Sequence, residues 1–187
     1  MGYTKEQLAQ YQGATVPDLL GKDCRLLFVG INPGLWTAAT QTHFCHPSNR
    51  FYPAIRQAGM IDWSLDTDLG MTDYQRGSFT DAGLGITNLV SRATVRASEL
   101  SATELVEGSG RLEELVSDRR PDVVAVAGVT AYRTAFKEPK AQIGRQEAGI
   151  VEAELWVVPN PSGLNAHETV DSLADWYRKA AEAAGLL

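Results

Sequence analysis

The sequence predicts an α/β fold, a three-layer α/β/α sandwich around a central, mostly parallel sheet of about four strands. Two observations carry that expectation. Short β-branched apolar runs alternate with segments of helical period, and neither an internal repeat nor a low-complexity tract interrupts them. Strands separated by helices imply right-handed crossovers and helical cover on both faces of the sheet. Strands are expected at residues 25–29, 86–90, 122–127 and 155–158, where Val, Ile and Leu cluster. A short helix is expected over residues 4–11. Ser101 followed by Glu104 reads as a capping box that opens a helix running towards Arg119, weakened in its middle by Gly108 and Gly110 and stopped by Pro121. Near the C-terminus, Val170, Leu173, Ala174, Tyr177, Ala180, Ala181 and Ala184 share one helical face, with Asn165 and Glu168 expected to cap it.

A length of 187 residues fits one domain over residues 1–187, of which 1–24 are expected to be an added N-terminal extension. With 44% apolar and 21% charged residues the composition is that of a globular chain. The start MGYTKEQLAQ lacks a basic segment followed by an apolar run, and no stretch approaches the ~20 apolar residues of a membrane span, so the protein is expected in the cytoplasm with no membrane partner. Cys24 and Cys45 are the only cysteines and lack paired ligand spacing, which argues against a disulfide framework, a zinc site or an iron–sulfur cluster. The net charge of -6 disfavours indiscriminate adhesion to nucleic acid, because that affinity comes from Lys and Arg neutralising phosphates. Any contact with DNA has to be local.

In such a sheet ligands sit beyond the carboxyl ends of the strands. Two strand ends carry unusual sequence. After RLLFVG the chain reads Gly30, Ile31, Asn32, Pro33, Gly34, in which glycine permits close backbone approach and Pro33 stiffens the turn presenting Asn32. After ELWVV it reads Pro159, Asn160, Pro161, Ser162, Gly163, Leu164, Asn165, a stiff loop with an apolar Leu164 at its lip. Either motif alone reads most simply as an ordinary strand-to-helix turn. Their joint placement at the first and last strand ends favours a shared site.

Together these residues resemble the mismatch-specific branch of the uracil-DNA glycosylase superfamily, the bacterial mismatch uracil glycosylases and the related thymine-DNA glycosylases. The resemblance rests on GINPGL at residues 30–35, FxHPxNRF at 44–51, GITNLV at 85–90 with Arg92 and Thr94 after it, and NPSGL at 160–164. It implies a monofunctional enzyme that flips uracil, or another altered pyrimidine, out of a mismatched duplex and hydrolyses its N-glycosidic bond. It further implies that Asn32 orients the attacking water, that Phe44 stacks on the base, and that backbone around Gly30, Ile31 and Phe44, with Thr37 and Asn160, lines the base site. Thr37 falls beside the 5-position of the base, where it bears on whether thymine is admitted. Ser162, Gly163, Leu164 and Asn165 are then the wedge that fills the hole left in the helix. Ala166 departs from the arginine expected beside the wedge. Double-stranded DNA is the implied partner, with a monomeric protein and no cofactor.

The residues also raise other candidates. Asp81, just upstream of GITNLV, is a second water-handling candidate, since a carboxylate activates water better than an amide; its bland alternative is a turn or cap residue. His43 and His46 flank Phe44 without a third ligand at metal spacing, so no metal is expected. Trp63, Trp156 and Trp176 are expected in or near the core, and Trp36 near the first motif. Arg50, Arg92, Arg96, Lys137, Lys140 and Arg145 are candidates for phosphate contacts or solvated charges. No lysine stands in either motif, which disfavours Schiff-base chemistry. The rival class is a non-catalytic nucleotide-binding or lesion-binding module in which residues 30–34 cradle a phosphate, though neither GxGxxG nor GK[ST] is present.

Overall fold

The computed structural model describes residues 2–187. Its sheet has five strands, β1 (Leu26–Gly30), β2 (Leu84–Asn88), β3 (Val123–Ala127), β4 (Gly144–Arg145) and β5 (Glu154–Val158), in the order β2-β1-β3-β5-β4. β1, β2, β3 and β5 run parallel, and only the two-residue edge strand β4 is antiparallel. The four expected strands are therefore the four parallel ones, with β2 starting two residues earlier than the apolar run suggested. β4 escaped prediction because two residues carry no alternation.

Every residue of β1 and β3 is buried, as a parallel sheet covered on both faces requires. Leu26, Phe28, Leu84, Ile86, Val123, Ala125 and Val158 pack beneath α3 (Phe51–Gln57), α4 (Asp73–Asp81) and α7 (Val170–Ala183). Leu27, Val29, Val124, Val126, Leu155 and Val157 face α5 (Ala102–Arg119) and α6 (Val129–Ala135) on the other side. The short helices α1 (Lys5–Ala9) and α2 (Leu35–Thr40) lie against each other beside the sheet.

Helix ends follow their caps. Ser101 and Glu104 form the expected capping box of α5. Gly108, expected to weaken α5, instead permits its approach to the sheet: a Cβ there would lie 2.3 Å from the Leu89 carbonyl oxygen. The cap of α7 is Thr169, whose hydroxyl accepts from the Ser172 N–H, and not Asn165. Asn165 is diverted, its amide donating to the Asn160 carbonyl and accepting from the His167 N–H. That bond folds residues 160–165 into a compact loop and postpones the helix. Among the described residues no helix is long and apolar enough to cross a membrane.

The N-terminal segment is tied into the fold. Leu19 exchanges backbone hydrogen bonds with Ile86 at 2.9 Å each way, and Asp18 accepts from the Thr87 hydroxyl at 2.7 Å.

Candidate active site at the carboxyl ends of the strands

Asn32 stands one residue beyond the turn that leaves β1. Its side-chain nitrogen lies 3.1 Å from the Pro33 carbonyl, 3.0 Å from the Arg92 carbonyl and 2.8 Å from the Thr94 hydroxyl. The Thr94 hydroxyl gives its own proton to the Arg96 carbonyl at 2.9 Å, so towards Asn32 it can only accept. All three neighbours are acceptors, which fixes the amide with its nitrogen inward. The Oδ1 atom is left as the free acceptor, the orientation needed to hold a water by its proton. Arg92, whose carbonyl is one of the three, is anchored by a 2.6 Å contact to Glu104, the residue that also completes the α5 cap.

Beside Gly30, Phe44 sits half-buried with φ 55, a left-handed conformation uncommon outside glycine, as at functional turns. Its ring stacks on Phe51 at 4.3 Å, and the Tyr52 hydroxyl pins the preceding carbonyl of His43 at 2.8 Å. Gly30 ends β1 directly opposite Asn88 at the end of β2. A Cβ on Gly30 would lie 2.4 Å from Asn88 Oδ1 and 3.2 Å from the Phe44 ring, so only glycine leaves this floor open. Asn88 is a candidate site residue that the sequence reading passed over, because the expected strand at 86–90 put it in mid-strand and the pairing of β2 with β1 has no sequence signature. Thr37 is buried in α2.

The second loop leaves β5, two strands away from β1 and hence roughly 10 Å across the same rim. Gly128, at the end of β3 between them, lies against both Ile31 and Asn160: a Cβ there would be 3.5 Å from Ile31 Cδ1 and 3.6 Å from Asn160 Nδ2. Asn160 Oδ1 accepts from the Ser162 N–H at 3.0 Å, and the buried Tyr177 hydroxyl donates to the Pro159 carbonyl at 3.1 Å. Gly163 packs on the loop after Phe44, where a Cβ would meet Ser48 Oγ at 2.4 Å. Arg50 ties the two loops together. Its guanidinium donates to the carbonyls of Ser162 at 2.6 Å, Asn165 at 2.7 Å and Glu168. Leu164 at the tip is 90% exposed, a large apolar side chain held in water by a braced loop.

The structure thus brings Gly30, Ile31, Asn32, Phe44, Asn160 and the 162–165 loop to one rim. Asp81 is elsewhere. It is the exposed last residue of α4, three positions before β2 begins, at the amino end of a sheet whose rim lies roughly 15 Å away along the strands. The expectation that it borders the same pocket as Asn32 does not hold. Of the six candidate cations, Arg50 braces the loop, Arg92 pairs with Glu104 and Arg145 pairs with Glu154, which leaves Arg96, Lys137 and Lys140. Trp36 is held by a bond to the Thr67 carbonyl and edge contacts with Tyr3 and His46. An open surface cleft of about 580 Å³ reaches the site at Phe44 but includes neither Asn32 nor Asn88, and a second of about 730 Å³, lined by Arg25, Asp122 and Glu154 among others, includes none of the three. Among the described residues no three His, Cys, Asp or Glu side chains are grouped to hold a metal ion.

Comparison with known proteins speaks to the fold and the family. The chain is similar over 94% of its length to a candidate uracil DNA glycosylase from Methanosarcina acetivorans solved by solution NMR, with a TM-score of 0.61, 19% identity and 98% of that chain covered. At that identity the similarity speaks to the fold. The family described as the uracil DNA glycosylase superfamily matches residues 17–184, which takes in both motif loops and begins at the Pro17 segment rather than after residue 24. On that match the chain belongs to the uracil DNA glycosylase superfamily.

Proposed function

We propose that this protein is a mismatch-directed, monofunctional uracil-DNA glycosylase that acts as a monomer on double-stranded DNA. The single observation that carries the reading is the amide of Asn32, whose nitrogen is turned to three acceptors so that Oδ1 is the end left to accept from a water. In the hydrolysis, the C1′–N1 bond breaks with its electron pair leaving on the base. Water oxygen bonds to C1′, the proton it sheds passes to solvent, and the departing base anion takes up a proton from solvent. An amide is too weak a base to take that proton early, so Asn32 aligns the water while the leaving base and the sugar cation develop. Phe44 supplies a stacking face, Gly30 and Ile31 supply backbone close to the base, and Asn88 presents amide atoms to its edge. Leu164 enters the gap in the helix and offsets an unstacking cost of a few kcal/mol, lower at a mismatch. That difference gives a physical basis for preferring G:U over a well-stacked pair.

The test is incubation with duplexes that differ only at the target base, followed by alkali to reveal abasic sites. Strand breaks at a G:U site and not at an undamaged pair are expected. Retained binding of the G:U duplex without breaks would instead favour a lesion-binding module.

A further inference from the structure

We propose that Gly13 and Ala14 are positioning residues for Asn32, acting through residues 92–94, which carry two of the three acceptors around its amide nitrogen. The inference rests on the glycosylase reading above and deepens it by naming what holds the geometry of the water site.

Beyond the ends of β1 and β2 the two chain segments stay laddered without forming regular strands. Leu89 N–H donates to the Gly30 carbonyl and Val90 N–H to the Ile31 carbonyl, both at 2.9 Å, and Thr94 N–H donates to the Pro33 carbonyl at 3.1 Å. Residues 92–94 are thereby laid alongside Asn32, with the Arg92 carbonyl and the Thr94 hydroxyl at its amide nitrogen. The N-terminal segment covers their other edge. Ala93, between the two acceptors, donates its N–H to the Ala14 carbonyl at 2.8 Å, and its own carbonyl accepts from the Gly13 N–H at 2.8 Å. Ala93 is fully buried and packs with Val16 and with Ala38 of α2 in a small apolar cluster separate from the two main cores, with Tyr11, Ala14 and Leu35 against it. The family match begins at residue 17, so this support comes from outside the matched region.

The brace has a fixed backbone of its own. Residues 11–14 close a turn in which Ala14 N–H donates to the Tyr11 carbonyl at 3.0 Å. Its third residue, Gly13, has φ 77, the left-handed region that glycine, and after it asparagine, adopts at that place. Gln12 Nε2 donates to the Glu99 carboxylate at 3.2 Å, whose other oxygen accepts from the Arg96 N–H at 2.7 Å, so the turn also grips the chain just after Thr94. An asparagine amide whose nitrogen loses its acceptors is free to rotate and to offer a water its protons in place of a lone pair. A displacement of ~1 Å in a group that aligns a reactant costs rate without a matching cost in binding. Residues 160–165 are held from the other side of the rim, by Arg50 and Tyr177, so duplex affinity is expected to be independent of the brace.

Two measurements on the full chain test the proposal. Gly13→Pro removes the N–H that the Ala93 carbonyl accepts and forbids the positive φ, whereas Gly13→Asn keeps both and enters open space, since nothing lies within 4 Å of a Cβ there. Amide hydrogen exchange at Thr94, whose own bond is to Pro33, is expected to quicken about tenfold in Gly13→Pro and to stay near the wild-type rate in Gly13→Asn. Single-turnover release of uracil from a saturated G:U duplex is expected to fall about tenfold in Gly13→Pro, with the duplex Kd within about twofold of wild type, and to be restored in Gly13→Asn. Should Gly13→Pro not fold, Gly13→Val takes its place; it keeps the N–H, disfavours the left-handed backbone, and is expected to slow release about threefold at unchanged Kd. Unchanged exchange at Thr94 overturns the proposal, as does an unchanged rate beside quickened exchange, or a rate and an affinity that fall together. Failure of the wild-type protein to cut a G:U duplex would sink the glycosylase reading, whereas exchange at Thr94 judges the brace independently.

Discussion

At the scale of the residue, chemistry here depends on which atom of a symmetric-looking side chain is left free. Asn32 would be unremarkable as an isolated amide; its proposed role as a water holder rests on the three acceptors, from Pro33, Arg92 and Thr94, that surround its nitrogen and share its two protons. The motif GINPG made Asn32 legible in the sequence. Its lock was not legible, because two of the three partners are about sixty residues away in the chain and two are backbone carbonyls, which carry no sequence signature. Asp81 shows the opposite error. It lies close to the GITNLV strand in sequence, yet the strand leads away from it to the rim that carries Asn32. Asp81→Ala is expected to leave single-turnover excision of uracil within about twofold of wild type. Its side chain ends a helix in solvent, where substitutions are usually nearly neutral. A tenfold loss would restore it as a water-handling candidate.

At the scale of the element, neighbours grip the backbone of the loop that we propose as the wedge. Arg50 donates to three of its carbonyls, Tyr177 holds the Pro159 carbonyl and Ser48 packs on Gly163. The exposed Leu164 is thereby presented without first having to order the loop, an entropic cost of roughly 1–2 kcal/mol per residue. Arg50→Met keeps much of the side-chain volume and removes every donor. Faster amide hydrogen exchange at residues 162–168 is expected, with excision from a G:U duplex slowed at least about tenfold. Unchanged exchange there would show that the loop is held by other contacts. The sequence made the loop and its apolar tip visible, but Arg50 read there as a candidate phosphate contact or a solvated charge, since a lone arginine in a motif does not reveal its acceptors. The α7 cap moved from Asn165 to Thr169 for a related reason, a local amide bond competing with the helix.

At the scale of the whole molecule, alternation of apolar runs and helical segments was enough to read the sandwich and its four parallel strands. It could not supply strand order, nor the short helices α2, α3, α4 and α6, whose six to nine residues hold too few turns for a clear period. Packing between these layers has a signature in alkali. Cys24 is buried against Gly85 and donates to the Leu26 carbonyl at 3.7 Å, and burial pushes its thiol up from 9.0 to about 12. A raised folded-state value means that the thiol's contribution to stability is whole below pH 9 and is lost as pH rises towards 12. Denaturant midpoints should therefore fall more steeply above pH 9 in the wild type than in Cys24→Ala; parallel curves would contradict this assignment.

The account as a whole depends on Asn32 acting at a nucleotide held open by the opposite loop. Its most direct test is the single-turnover rate of uracil release from a saturated G:U duplex, compared between wild type and Asn32→Ala. A fall of about 10²-fold or more, with duplex affinity retained, is the expected result. An Asn32→Ala protein that releases uracil at the wild-type rate would contradict it.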